Sequence, residues 1–163
     1  MKKRPIYILA ITFFLSMGII GTASAQDSLD YNVPKSFVVV KMTKDYTEAL
    51  KFAKEASHKL HLKLDLRDLS PNAVTGLTLP EDICDSNDWS YPTNFPRGRY
   101  DDSNYVSIEW SSDFYGMKHG YYAVMTASSY ASEHWIDSSL VAARKVYPAA
   151  FIEHSKVYMG CIH

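Results

Sequence analysis

Two stretches of the chain carry hydrophobic patterns in the same order. In the first, residues 36–67, an apolar and β-branched run at 37–42 predicts a strand. Apolar positions then recur at helical spacing over 45–60, behind an Asp-x-x-Glu capping box, and predict a helix with one buried face. Leucines alternate with charged residues over 62–66, which is typical of a half-buried strand. The stretch is therefore expected to form a strand–helix–strand unit.

The second stretch, residues 121–154, repeats this order. An apolar strand is predicted at 121–127, a helix at 132–147 that ends before a proline, and a short strand at 149–153. Two such βαβ halves predict an α+β, ferredoxin-like domain with an antiparallel or mixed sheet and two helices on one face. Strands 37–42 and 122–127 should be adjacent near the sheet centre. The helix positions expected to be buried are Leu50, Ala53, Ile136, Leu140 and Ala143.

The residues of these halves resemble a known family. FVVV followed by DYTEALKFAKEA, and YYAVMTASS followed by a helix and YPAAFIE, are similar to the SPOR domain, the sporulation-related repeat. The resemblance covers 36–67 and 121–154. It implies a ferredoxin-like fold in the cell envelope that binds the glycan strands of peptidoglycan on its sheet face.

A long aromatic insertion, residues 68–120, separates the halves. Ten aromatic residues lie within 89–122, and the alternation at 105–110 predicts an extra strand. Aromatic rings offer apolar faces to sugars, and neighbouring polar groups can bond hydroxyls, although such rings can equally pack a loop onto the core. The candidate ligand-binding residues are Trp89, Tyr91, Arg97, Arg99, Tyr100, Tyr105 and Trp110.

The first 25 residues have the pattern of an export signal. A basic start at 2–4 precedes an apolar run at 6–20 and an Ala-Ser-Ala cleavage pattern at 23–25. Cleavage would leave a tail at 26–35 and a single domain at 36–163, periplasmic or secreted and without a lipid anchor. The signal carries 3 of the 17 basic residues, which leaves 14 against 18 acidic ones. Such scattered, slightly acidic charge argues against nucleic acid as a partner.

The two cysteines, Cys84 and Cys161, are expected to form a disulfide, because an even number of cysteines in an exported chain favours pairing. A redox-active or metal-binding thiol is the alternative, but neither cysteine has a C-x-x-C partner. Neither a metal site nor a cofactor is expected.

No sequence motif indicates a particular enzymatic reaction. A G-x-S-x-G elbow is absent, and Glu109 is the least weak candidate for an acid of a carboxylate pair. We therefore expect a non-enzymatic binding module of the cell envelope, with peptidoglycan glycan as its partner. The alternatives are a secreted protein–protein interaction or inhibitor module and a small envelope hydrolase.

Overall fold

The computed structural model describes residues 31–161, so the predicted signal at 1–25 lies outside the described residues. Within that range, none of the helices has the length and apolarity needed to cross a membrane. The elements in chain order are β1 (Asn32–Thr43), α1 (Tyr46–Leu60), β2 (Ser70–Asn72), β3 (Gly76–Thr78), α2 (Glu81–Ser86), β4 (Asn104–Trp110), β5 (Tyr122–Tyr130), α3 (Trp135–Arg144) and β6 (Phe151–Tyr158).

The main sheet has four strands in the order β4-β5-β1-β6, and each neighbouring pair is antiparallel. The predicted α+β class is confirmed, as is the adjacency of the first strands of the two halves at the sheet centre. β2 and β3 form a separate two-stranded sheet. β1 begins inside the predicted tail, and β6 continues well beyond the short strand predicted at 149–153.

α1 and α3 contribute to one apolar core against the sheet. Ala53 of α1 and Ile136 and Ala143 of α3 are buried there as predicted, whereas Leu50 and Leu140 are only half-buried at its margin. The strand residues of this core include Val38, Val40, Val106, Ile108, Val124 and Ala127. Burying aliphatic side chains of this kind is the main favourable term in folding.

The strand predicted at 62–66 does not form. Its backbone makes one isolated bridge, between Leu64 and Val106, although its leucines pack against the helix-side core as their alternation indicated. His61 and Arg67 lie at its two ends with left-handed φ values of 54° and 58°, so the chain turns before a strand can extend. β4, predicted only as an extra strand, is instead an integral strand of the main sheet.

The opposite face of the sheet is covered by the long connection between the halves. The ring of Phe114 packs edge-on against Phe37, with centroids 5.0 Å apart, and Met117 joins the same cluster. Gly98 approaches so closely that a Cβ there would lie 3.3 Å from the Phe37 ring, and its φ of +85° also favours glycine. This face is therefore core, and a ligand cannot lie flat on it as the family resemblance implied.

Candidate functional site

Arg97, one of the predicted ligand contacts, is fully buried against the sheet. Its guanidinium donates five hydrogen bonds, to the hydroxyls of Ser107 and Ser128 and to the carbonyls of Ser103, Tyr105 and Met125. It also lies 3.7 Å from the centroid of the Tyr105 ring. Arg97 and Tyr105 are therefore core residues, and the prediction that they contact a ligand was wrong.

A break in strand pairing explains why an arginine belongs here. The β4–β5 register shifts between Asn104 and Ser107, so two residues of β4 lie opposite Thr126 alone. Such a bulge frees backbone groups from the ladder. Arg97 Nη1 donates to the carbonyls of Tyr105 and Met125, on the two sides of the bulge. The arginine thus supplies donors that the sheet cannot supply itself.

Glu109, the candidate acid, is buried beside this arginine. Its Oε2 accepts from Arg67 Nη1 at 2.8 Å and from the Arg97 backbone N–H at 3.2 Å. Asp113 lies in the next turn, where burial raises the pKa of its carboxyl to about 7, against the lowering effect of a hydrogen bond from Asn94. Because Glu109 is 1% exposed, it cannot reach a substrate in this conformation.

The two predicted tryptophans pack mainly within the protein. Trp110 covers Gly76 and lies 4.9 Å from the ring of Tyr122, while Trp89 packs edge-on against Phe95 at 4.6 Å. Both are half-buried. They hold the long connection in place, which was the alternative interpretation of the aromatic segment.

The exposed part of the aromatic segment surrounds an open cleft of about 370 Å³, which we call the Arg99 cleft. Tyr100 borders it with a side chain 69% exposed, and Tyr158 lines it with one 46% exposed. The cleft is lined by Thr93, Asn94, Phe95, Pro96, Arg99, Tyr158 and Cys161. The predicted ligand residues Arg99 and Tyr100 therefore meet here. Tyr91 is also exposed, but it does not line the cleft.

Arg99 lines this cleft with a positive charge, but the residue is only 8% exposed. Its guanidinium lies between 5.2 and 5.8 Å from the rings of Tyr100, Tyr158 and Phe95 and donates to the carbonyls of Tyr158 and Gly160. In the described part of the chain, no carboxylate lies within ion-pair distance of it. Its Nε is buried and has no acceptor. Within the described residues, the cleft thus combines aromatic rings with a cation that lacks a carboxylate partner.

A second cleft, of about 220 Å³, opens beside the middle of β6, and we call it the Lys156 cleft. Tyr115 lines it with a side chain 76% exposed. Lys35 is buried at its base, where Nζ pairs with Asp102 at 2.6 Å and lies 3.4 Å from the centroid of the Tyr130 ring. The lining residues are Pro34, Lys35, Tyr115, Ala131, His154, Ser155 and Lys156. A smaller cavity of about 120 Å³, near α1 and α3, has neither an aromatic nor a charged residue in its lining.

Sequence reasoning missed the β6 contribution to both clefts. His154, Lys156 and Tyr158 alternate with buried Ser155 and Val157, which is the pattern of a half-exposed strand. The strand predicted at 149–153 stopped before them. Tyr115 was counted among the aromatic residues, but nothing in the sequence set it apart from rings that are buried.

Both cysteines are free thiols in the structure, with Cys84 buried in α2 and Cys161 exposed at the Arg99 cleft. The predicted bridge is therefore not formed in it. The two thiols belong to the same region. The Cys84 carbonyl accepts a hydrogen bond from the backbone N–H of Trp89, and the Trp89 ring packs against Phe95, which lines the same cleft as Cys161. The bridge stays a prediction for the exported protein.

Alkylation will decide the cysteine state. If the exported protein is bridged as predicted, neither thiol should react before a reductant is added. After reduction, Cys161 should react in the folded protein and Cys84 only after unfolding, because Cys84 is fully buried. Mass spectrometry of the labelled peptides measures both. Rapid labelling of Cys161 in untreated protein would contradict the bridge and agree with the thiols of the structure.

Within residues 31–161, no three His, Cys, Asp or Glu side chains converge as a metal site would require. Comparison with known proteins found no family model, no curated protein and no solved structure that matches the chain.

Proposed function

We propose that this protein is a non-enzymatic binding module of the cell envelope and that its ligand is a glycan, with peptidoglycan as the first candidate. The observation that carries the proposal is the Arg99 cleft, where exposed tyrosine rings flank an arginine that has no carboxylate partner among residues 31–161. Sugars bind to flat aromatic faces through their C–H groups and to polar donors through their hydroxyls. The export signal pattern supports a location outside the cytoplasm.

The fold is consistent with this proposal in its finer detail. Apart from β2, β3 and α2, which lie between α1 and β4, the chain runs strand, helix, strand, strand, helix, strand as β1, α1, β4, β5, α3 and β6. This order and the sheet order β4-β5-β1-β6 support a ferredoxin-like, SPOR-like assignment. The sheet face that would bind glycan in that family is filled here by Phe114 and the connection around Gly98. We therefore assign the ligand to the clefts beside the end of β6.

The positions of Glu109 and Asp113 agree with a non-enzymatic role. Glu109 is buried and held by Arg67, and neither Glu109 nor Asp113 lines the Arg99 cleft. A glycosidase needs two carboxyl groups that flank the bond it cleaves. We therefore rank the hydrolase below the binding module.

Tyr100→Ala should weaken binding to purified peptidoglycan sacculi roughly tenfold, because exposed aromatic rings are common hot spots of recognition. Binding is measured by sedimentation of the protein with sacculi, and the supernatant is assayed for released fragments. The melting temperature should stay unchanged, since the Tyr100 side chain is largely exposed.

Val141→Ala is the control, because Val141 is 59% exposed on α3 and lines neither cleft. If the wild-type protein remains in the supernatant when the sacculi sediment, the proposal is overturned and a protein–protein module is favoured. Release of soluble fragments would favour the hydrolase.

A further inference from the structure

The Arg99 cleft and the Lys156 cleft are neighbours along one strand. Tyr158 of β6 lines the first, and His154, Ser155 and Lys156 of the same strand line the second. Lys156 and Tyr158 project from the same side of β6 and lie about 7 Å apart by strand geometry. The two clefts therefore border the same strand at neighbouring positions.

Each cleft has a positively charged residue in its lining. Arg99 lines the first and the exposed Lys156 lines the second, whereas, among residues 31–161, no Asp or Glu lines either of them. Lys35 also lines the second cleft, but its charge is paired with Asp102. The chain as a whole has a net charge of −1, so this surface differs in sign from the protein that carries it. Local charge of one sign in a cleft attracts ligands of the opposite charge.

Each cleft also has an exposed tyrosine ring at its edge. Tyr100 stands beside the Arg99 cleft and Tyr115 lines the Lys156 cleft. The hydroxyl of Ser155 donates to the backbone carbonyl of Tyr115 at 2.9 Å, which fixes the backbone of this tyrosine against β6. A backbone that is held in place lowers the entropic cost of binding a ligand at this residue.

We propose that the two clefts are subsites of one groove that binds an acidic glycan strand long enough to occupy both. This inference rests on the proposed function and adds the ligand's charge and length. Carboxylates on the strand pair with the cations of the groove, and successive sugar rings meet Tyr100 and Tyr115. Filling the second subsite turns a separate binding event into an intramolecular one, so affinity should rise with strand length.

Soluble peptidoglycan strands sorted by length test this groove. Wild-type protein should bind an octasaccharide at least about tenfold more tightly than a disaccharide, as measured by calorimetry in solution. Tyr115→Ala should remove most of that length advantage. Lys156→Gln should weaken octasaccharide binding severalfold, and Lys145→Gln, the matched change of an exposed lysine outside both clefts, should not.

The requirement for negative charge on the ligand is tested by comparing acidic and amidated strands. Converting the carboxyl groups of the octasaccharide to amides should lower its affinity for wild-type protein roughly tenfold and should reduce the dependence of binding on salt. Equal affinity for the acidic and amidated strands, or for the short and long ones, would overturn the groove while leaving glycan binding intact. If no strand of any length binds, the proposed function falls together with the groove. Melting temperatures of the variants establish that each one is folded.

Discussion

Replacing Arg97 by methionine should destabilise the protein by about 3–5 kcal/mol, the largest effect we expect from any single substitution. Methionine fills a similar volume but donates no hydrogen bond. The carbonyls of Tyr105 and Met125 and the hydroxyl of Ser128 would then lose a buried donor. Each buried polar group that loses its partner retains the full cost of its removal from water.

The free energy of unfolding in urea measures this effect. Arg97→Lys should recover part of the loss, because an ammonium group restores a charge and some donors but not the planar fork that serves several acceptors at once. Lys145→Met, which removes a positive charge from an exposed position, is the control and should change stability by less than about 0.5 kcal/mol. If Arg97→Met has no greater effect than this control, the arginine does not stabilise the bulge.

Asp113→Asn should stabilise the protein at neutral and alkaline pH, by up to about 4 kcal/mol. Burial raises the pKa of Asp113 from 3.8 to about 7, so the folded state holds this proton more tightly than the unfolded state. The contribution of Asp113 to wild-type stability should therefore fall as the pH rises from about 4 to about 7 and should then level off. The amide of the variant carries no charge and escapes this loss.

Unfolding in urea at several pH values, compared between wild type and variant, isolates the contribution of Asp113 from that of other acids. The two proteins should have nearly equal stability near pH 4 and differ most above pH 7. Asp85→Asn changes an exposed carboxyl of α2 and should give no such divergence. A difference between wild type and Asp113→Asn that is constant with pH would show that the pKa of Asp113 is the same in the folded and unfolded states, against this prediction.

Local periodicity predicted the main elements because it depends on near neighbours. The alternation and helical spacing around Val38, Ala53, Val124 and Ile136 located both central strands and the two core helices α1 and α3, and these residues are buried. The end points were less accurate. β6 extends to Tyr158 because pairing with β1 continues past the apolar run, and such pairing involves residues more than 100 positions away.

The predictions for the candidate site also succeeded or failed according to contacts between residues distant in the chain. Arg99 and Tyr100 were predicted as ligand contacts and both lie at a cleft, whereas Arg97 was predicted with them and is core. These two arginines are two residues apart in similar surroundings along the chain. Both side chains are buried, but Arg97 donates to carbonyls at the bulge between β4 and β5, whereas Arg99 donates to a carbonyl at the end of β6.

By itself, the sequence determined the α+β class, the two core helices, the central strands and the apolar surfaces that form the helix-side core, since each follows from the spacing of side chains along the backbone. The tertiary structure decided which polar and aromatic side chains remain exposed. It covered the second face of the sheet with the long connection, buried Arg97, and brought Tyr100 close to Tyr158 on β6. These outcomes depend on contacts between residues distant in the chain, where a polar side chain is buried only if the fold supplies its hydrogen-bond partners.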